Sequence, residues 1–401
     1  MAGTGFTPNH RGENRPMGDI YTPREMLAKL VSFPTVSRDS NLPLIDFVED
    51  YLNGHGVASQ RVYDPTGEKA NLYALVGPEV EGGVILSGHT DVVPVDGQEW
   101  DTDPFEVVEK DGKLFGRGTC DMKGFNALAL AHVPDMLAAG MKRPVQIALS
   151  YDEEVGCIGA PFMIEDIAKT MPKASACIVG EPSMMKVVTG HKGSVGFITR
   201  VHGFEMHSSL MHESVSAVMT ASRLITWLHN ETQSNMALAD PENPFYPPFT
   251  TLHSGVINGG TAGNITAKFC EFVVDIRCAP PDTPQEWADK YRARCAEMTA
   301  EIQKIQPTAH VELIDRMLNP PCRPEQDGAA EALARALTGD NSTNVVSYGT
   351  EAGQFQDGGF STCICGPGNI EQAHQPNEFI SVAQYEAGSV FMKRLIERLA
   401  A

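Results

Sequence analysis

The chain contains no uninterrupted apolar run of the ~18 residues needed to cross a bilayer. Its first stretch, MAGTGFTPNHRGENRPMG, lacks the apolar centre of a secretory signal. Neither a membrane span nor a signal peptide is expected. The nine cysteines are odd in number and scattered, and no C-x-x-C occurs. The closest two, Cys363 and Cys365, flank Ile364 in an apolar run that reads as buried strand. That pattern excludes a disulfide framework and suggests a reducing, cytoplasmic setting. Positive charge is scarce, with 31 Lys and Arg against 51 Asp and Glu and a formal charge of −20. Nucleic acid and anionic membrane surfaces both require basic patches, so neither is an expected partner. Aromatic residues make up only 7%, but 42% hydrophobic content over 401 residues can fill cores in two or three domains.

What is present alternates. From about residue 24 to 187, helical spacing (PREMLAKLVS, LIDFVEDYLNGHG) is interleaved with short apolar runs (NLYALVG, GVILSGHT, VQIALSY, SACIVGE). A helix over MKGFNALALAHVPDMLAAG carries Pro134 as a kink. Such alternation predicts an α/β fold, a mixed and mostly parallel sheet covered by helices on both faces. From 188 the texture changes. VVTGHKGSVGFITRVHG alternates like a half-exposed antiparallel strand, and the order becomes β-α-β-β-α-β up to HVELIDR. The α/β texture then resumes. The reading is a catalytic domain of residues 24–187 and 317–401, interrupted by an inserted α+β, ferredoxin-like domain of residues 188–316. Residues 1–23 read as a flexible extension, with Met17 as a candidate start.

Four apolar strands end in candidate metal ligands: His89 and Asp91, the triplet Asp152-Glu153-Glu154, Glu181, and, after a loop, His374. The loop GRGTCDMKG adds Asp121 at a helix start. Ligands gather at the carboxyl ends of strands in open α/β sheets. A D-E-E triplet alone reads as a solvated loop, and a lone histidine as a structural residue. Several carboxylates and imidazoles converging on one edge need a cation to offset their repulsion. Mixed His and carboxylate ligands suit zinc or a similar divalent ion. A structural zinc site does not fit, because such sites are closed and usually rich in cysteine.

In this order, SGHTDVVPV, GRGTCDMKG, DEEVG, GEPS and HQPNE resemble the dinuclear metallohydrolases that include acetylornithine deacetylase, succinyl-diaminopimelate desuccinylase and carboxypeptidase G. The resemblance implies two divalent ions per chain, zinc or else cobalt or manganese. Asp121 would bridge them, His89 and Glu181 would complete one site, and Glu154 and His374 the other. It implies Glu153 as general base, a cis Asp121–Met122 peptide, and Asp91 as partner to the second ring nitrogen of His89. VHGFEMHSS is similar to a lid motif whose histidine, here His207, acts on the neighbouring subunit of a homodimer. GGTAGNITAKFCEFVVDIR matches a segment whose Asn and Arg contact substrate, here Asn264 and Arg277; Thr266-Ala267 stands where relatives usually carry a proline.

The resemblance implies a metal-dependent amidohydrolase acting on a small N-acyl amino acid. PPFTTLHSGVINGGTAGNI and SYGTEAGQFQ are most like the acetylornithine-deacetylase branch. That points to N-acetyl-ornithine, with N-succinyl-diaminopimelate, another N-acyl amino acid or a short peptide as alternatives. Gly349 and Glu351 fall in that branch's substrate loop. Glu351 is the expected partner of a cationic side-chain amine, with a helix cap or a solvent-facing position as its other reading.

Overall fold

The computed structural model describes residues 18–401. The expected N-terminal extension and Met17 therefore lie mostly outside the described residues. Residues 18–22 are packed against the helix Leu42–Gly54, where the Tyr21 ring centroid is 5.9 Å from those of Phe47 and Tyr51. Thr22 then caps the helix Pro23–Val31 through a reciprocal capping box with Glu25.

Eight strands form the large sheet, in the order Ser59–Tyr63, Ala70–Val76, Val145–Ser150, Val84–His89, Ala176–Pro182, Thr362–Gly366, Val188–His191 and Asn344–Val346. The four from Val145–Ser150 to Thr362–Gly366 run parallel, and antiparallel pairings lie to either side. Both faces are covered, and period-two alternation divides the side chains. Leu86, Ile178, Cys363 and Cys365 join a core with helices Pro23–Val31, Leu42–Gly54, Lys123–Ala131 and Val382–Ala400. Ile85, Cys177, Val179 and Ile364 face the helices Ala160–Thr170 and Ala352–Asp357. The helix around Pro134 is broken in two, Lys123–Ala131 and Val133–Ala138, with the proline opening the second. All nine cysteines are buried and free. No described helix is long and apolar enough to cross a membrane.

A second sheet has the order Thr251–His253, Phe269–Cys278, Gly193–His202, His310–Asn319, all antiparallel. Strand Phe269–Cys278 alternates buried and part-exposed positions. Its inward residues Phe272, Val274 and Ile276 meet Leu224 and Leu228 of helix Ala217–Ala237 and Trp287 and Tyr291 of helix Pro284–Ile302. TLHSGVING forms two short strands, Thr251–His253 and Ile257–Gly259, not one. Strand Val188–His191 belongs to the large sheet, one strand later than the texture change at 188 suggests. It is buried at every position, where the sequence suggested half-exposed alternation, and alternation begins only at Ile198 of the following strand. A three-stranded sheet of Val108–Lys110, Lys113–Phe115 and Phe379–Ser381 was not visible in the sequence. Its strands are too short to show a period.

Candidate metal centre and active site

Two ligand strands carry a glycine immediately before the ligand, and close packing explains both. A Cβ on Gly88 would lie 2.2 Å from Asn126 Oδ1, and one on Gly180 would lie 2.0 Å from the Phe125 ring. Helix Lys123–Ala131 therefore sits directly against the strand ends that present His89 and Glu181. Asn126 Nδ2 donates to the His89 carbonyl at 2.6 Å. Asp121 lies just before the same helix, and its peptide to Met122 is cis.

Asp121 is the centre of the cluster. Its Oδ1 is 3.1 Å from His89 Nε2, and its Oδ2 is 3.2 Å from His374 Nε2. Glu181 approaches His89 Nε2 at 3.8 Å, and Glu154 approaches His374 Nε2 at 3.0 Å. Donor atoms of His89, Asp121 and Glu154 lie within 4.8 Å of one another, as do those of His89, Glu153 and Glu181. One carboxylate thus faces two imidazoles with its two oxygens, each imidazole having a further carboxylate beside it. These five residues offer oxygen and nitrogen donors and no cysteine, a set that could hold divalent metal ions.

The charge state supports that fit. Burial, reinforced by neighbouring carboxylates, pushes Glu153 and Glu181 well above the usual carboxylate range. Burial and the charge of Asp121 raise Glu154 to about 7. Asp121 resists its own burial because hydrogen bonds from His374 and His89 hold it low. Hydrogen bonds to Asp121 and Glu154 raise His374 to about 10. Four carboxylates crowd the strand ends, and burial and mutual repulsion oppose ionising Glu153, Glu154 and Glu181 together, a cost that a bound cation would offset.

Asp91 holds Glu153 and Glu154 of the acid triplet in place. Its Oδ1 accepts the Glu153 N–H at 3.1 Å, its Oδ2 accepts the Glu154 N–H at 3.3 Å, and the Ser37 hydroxyl donates to Oδ2 at 2.6 Å. The expected bond from His89 goes elsewhere: Nδ1–H donates to the Asp91 backbone carbonyl at 2.9 Å, while the carboxylate is 3.6 Å away. The consequence for the ring is the same, since Nε2 is left to face Asp121. Asp152 turns away, at φ 56°, to pair with Lys69 at 2.6 Å.

The chain matches the peptidase family M20/M25/M40 over residues 85–398. It is 35% identical over 364 residues to an acetylornithine deacetylase of Myxococcus xanthus, covering 90% of this chain and 92% of that one. It is 34% identical to an acetylornithine deacetylase of Proteus mirabilis (strain HI4320), covering 93% and 95%. The chain belongs to the M20 peptidase family. It is a metal-dependent amidohydrolase of that family. Among solved structures, an M20 metallo-carboxypeptidase from Sulfolobus solfataricus superposes with TM-score 0.74 at 16% identity, covering 94% of this chain and 99% of that one. A dinuclear metal-binding M20 peptidase from Bacillus subtilis gives 0.59 at 15% identity, covering 93% and 96%. These two share the fold.

In this M20 enzyme the ligand cluster opens into a cavity of about 320 Å³. Asp121, Glu153, Glu154, Glu181 and His374 line it together with Arg277, Ser194, Asn319, Tyr348 and Gly349. Gly349 leaves room there, since a Cβ would come within 3.0 Å of Asn319 Nδ2. Arg277 reaches the cavity from the second sheet, and its Nε pairs with Asp275 at 3.1 Å. Glu351, the expected partner of a substrate amine, is not among the residues that line this chain's cavity. It is buried behind the strand ends, where Ser150 and Ser87 donate to its carboxylate and burial raises it to about 7. Its position at the end of helix Ala352–Asp357 brings no side-chain cap either. His207 and Asn264 are exposed and lie together, joined by Ser208 N–H to the Asn264 carbonyl at 2.9 Å, and neither lines this chain's own cavity. Thr266, in the proline's place, ties their two loops together: its Oγ1 accepts the Met206 N–H at 2.8 Å.

Glu378 and Arg117 were not legible as site residues in the sequence. They form a buried ion pair at 2.7 Å, each about 1% exposed. Glu378 Oε1 also accepts the N–H groups of Gly118, Cys120 and Asp121 at 3.1, 2.9 and 3.1 Å. The pair shapes the loop that presents Asp121. Both lie in quoted motifs, GRGTCDMKG and HQPNE, but nothing in those motifs says that the two meet.

Proposed function

We propose that the protein hydrolyses the amide of a small N-acyl amino acid, N-acetyl-ornithine foremost, releasing ornithine and acetate in the cytoplasm as a step of arginine biosynthesis. The observation that carries the reading is the pair of contacts around Asp121, one oxygen to His89 and the other to His374, with Glu153 beside them in the same cavity. The relatives named acetylornithine deacetylase support the substrate.

His89, Asp121 and Glu181 would hold one divalent ion, and Asp121, Glu154 and His374 the other. Zinc suits these donors, and cobalt or manganese suits the same set. When bound, the ions supply polarisation of the scissile carbonyl and a lowered pKa for the attacking water. Glu153 takes the proton of that water as it attacks the carbonyl carbon, and returns it to the leaving amine nitrogen as the C–N bond breaks. Its burial favours the protonated form it must adopt between those two transfers. Arg277 faces the cavity and pairs with the substrate's α-carboxylate. The exposed His207 and Asn264 complete the cavity of a second copy in a homodimer, with His207 donating to the developing oxyanion.

A second reading has an observation of its own. Glu351 lies outside this chain's cavity, so the expected partner of a side-chain amine is missing from its lining, which favours another N-acyl amino acid over N-acetyl-ornithine. The test is primary-amine release by zinc-loaded protein from N-acetyl-ornithine, N-succinyl-diaminopimelate, other N-acyl amino acids and dipeptides. Chelator-sensitive turnover fastest on N-acetyl-ornithine supports the first reading. Turnover confined to another acyl amino acid supports the second. Silence across the panel with metal bound overturns both.

A further inference from the structure

Glu153 is gripped from a second direction. Cys157, four residues on, donates its backbone N–H to the Glu153 carbonyl at 2.8 Å and its thiol to Glu153 Oε1 at 3.2 Å. The thiol in turn accepts from Asn319 Nδ2 at 3.4 Å. The same Nδ2 donates to the Thr350 carbonyl at 3.0 Å, and a carbonyl only accepts, so the amide must present its NH₂ end on this side. Asn319 is the last residue of strand His310–Asn319, where the chain leaves the second sheet. The Cys157 carbonyl accepts from Gln354 Nε2 at 2.8 Å. Cys157 is 4% exposed and Asn319 1%.

We propose that Cys157 is a positioning residue for Glu153: its S–H holds one carboxylate oxygen so that the other is aimed at the attacking water, and Asn319 anchors the thiol from the strand leaving the inserted domain. The inference rests on the role of Glu153 as base proposed above. A buried donor of fixed direction removes a rotamer choice from the carboxylate that must transfer the proton, and misplacement of such a group is costly to rate. Burial and the charge of Glu153 keep the thiol protonated, so it donates and is no nucleophile.

Cys157→Ala removes the donor without setting a β-branched side chain at the positive φ of 55° found there, and Cys157→Ser keeps a donor. In full-length zinc-loaded protein, assayed on the fastest substrate of the panel, Cys157→Ala should lower kcat about tenfold with KM within about twofold. Cys157→Ser should restore most of that loss. In a Glu153→Gln background, adding Cys157→Ala should change the residual rate by less than about twofold, because the group it positions is already gone. Equal loss in Ala and Ser at unchanged melting temperature overturns the proposal and leaves packing only. A further tenfold loss in the Glu153→Gln background also overturns it, since Cys157 would then act independently of Glu153. Substantial turnover by Glu153→Gln alone overturns the base assignment and the positioning role with it, and that single variant separates the two failures.

Discussion

The carboxylate of Asp91 grips the backbone of Glu153, with Oδ1 accepting its N–H at 3.1 Å. Through Oδ2 it also takes the N–H of Glu154, so one side chain sets the direction in which a proposed base and a proposed ligand leave the strand end. Asp91→Ala should therefore lower kcat by about 10- to 100-fold, the usual cost of removing a supporting group at a metal site. Asp91→Asn, which keeps one acceptor, should lose less. Steady-state kinetics beside metal analysis checks this, and an unchanged kcat in the alanine variant would contradict the role.

Glu153→Ala is expected to abolish turnover while the protein still binds about two ions per chain, because the ligand set survives. Metal content by elemental analysis and rates on the best substrate decide it together. Loss of both metal and activity would make Glu153 a ligand, a role its place beside His89 and Glu181 also permits.

Removing Glu378 should be felt throughout the fold. Glu378→Ala strands the buried Arg117 guanidinium and three backbone donors at the Asp121 loop. Breaking one partner of a buried pair costs about 3–5 kcal/mol. Denaturant unfolding should show that loss, with Glu378→Gln falling between it and the native chain.

His191 makes stability fall in acid. Its ring is buried and neutral, with Nδ1–H donating to the Lys192 carbonyl at 2.9 Å and Nε2 accepting the Gly353 N–H at 3.2 Å. Burial lowers its pKa from 6.5 to about 4. In the unfolded chain the ring binds a proton near 6.5, and in the folded protein only near 4. Its contribution is therefore complete above pH 6.5 and is lost as pH falls towards 4, to a total of about 3 kcal/mol. Unfolding free energy measured across that window should be flatter in His191→Gln.

His207→Ala should lower kcat by about 10²–10³, the scale of one oxyanion donor. Mixing it with Glu153→Ala tests the homodimer. Random exchange of subunits would make about half the dimers mixed, each with one intact site, and restore about a quarter of native activity. No recovery after subunit exchange would place His207 in its own chain's chemistry or outside the reaction.

The strands that end in His89, Glu181 and the acid triplet were legible in the chain because each is a short apolar run closed by a charge, and burial on both faces demands that text. The alternation of strands and helices in the second sheet was legible as a period of two switching to one of 3.6 and back, although TLHSGVING, read as one strand, is two. The family motifs named the five proposed ligands before any contact was visible. Contacts between distant segments are a different matter. That Glu351 lies behind Ser87 and Ser150 and outside the cavity depends on how its loop and helix dock, and no local pattern records that. The pairing of Arg117 with Glu378 spans 261 residues, and the Cys157–Asn319 contact spans 162. Periodicity and composition report what each segment buries, since burial is a property of neighbours along the chain. Which polar group meets which is set only when the two sheets, the loop at Asp121 and the strand leaving the second sheet close on one another, and there the tertiary structure alone decided.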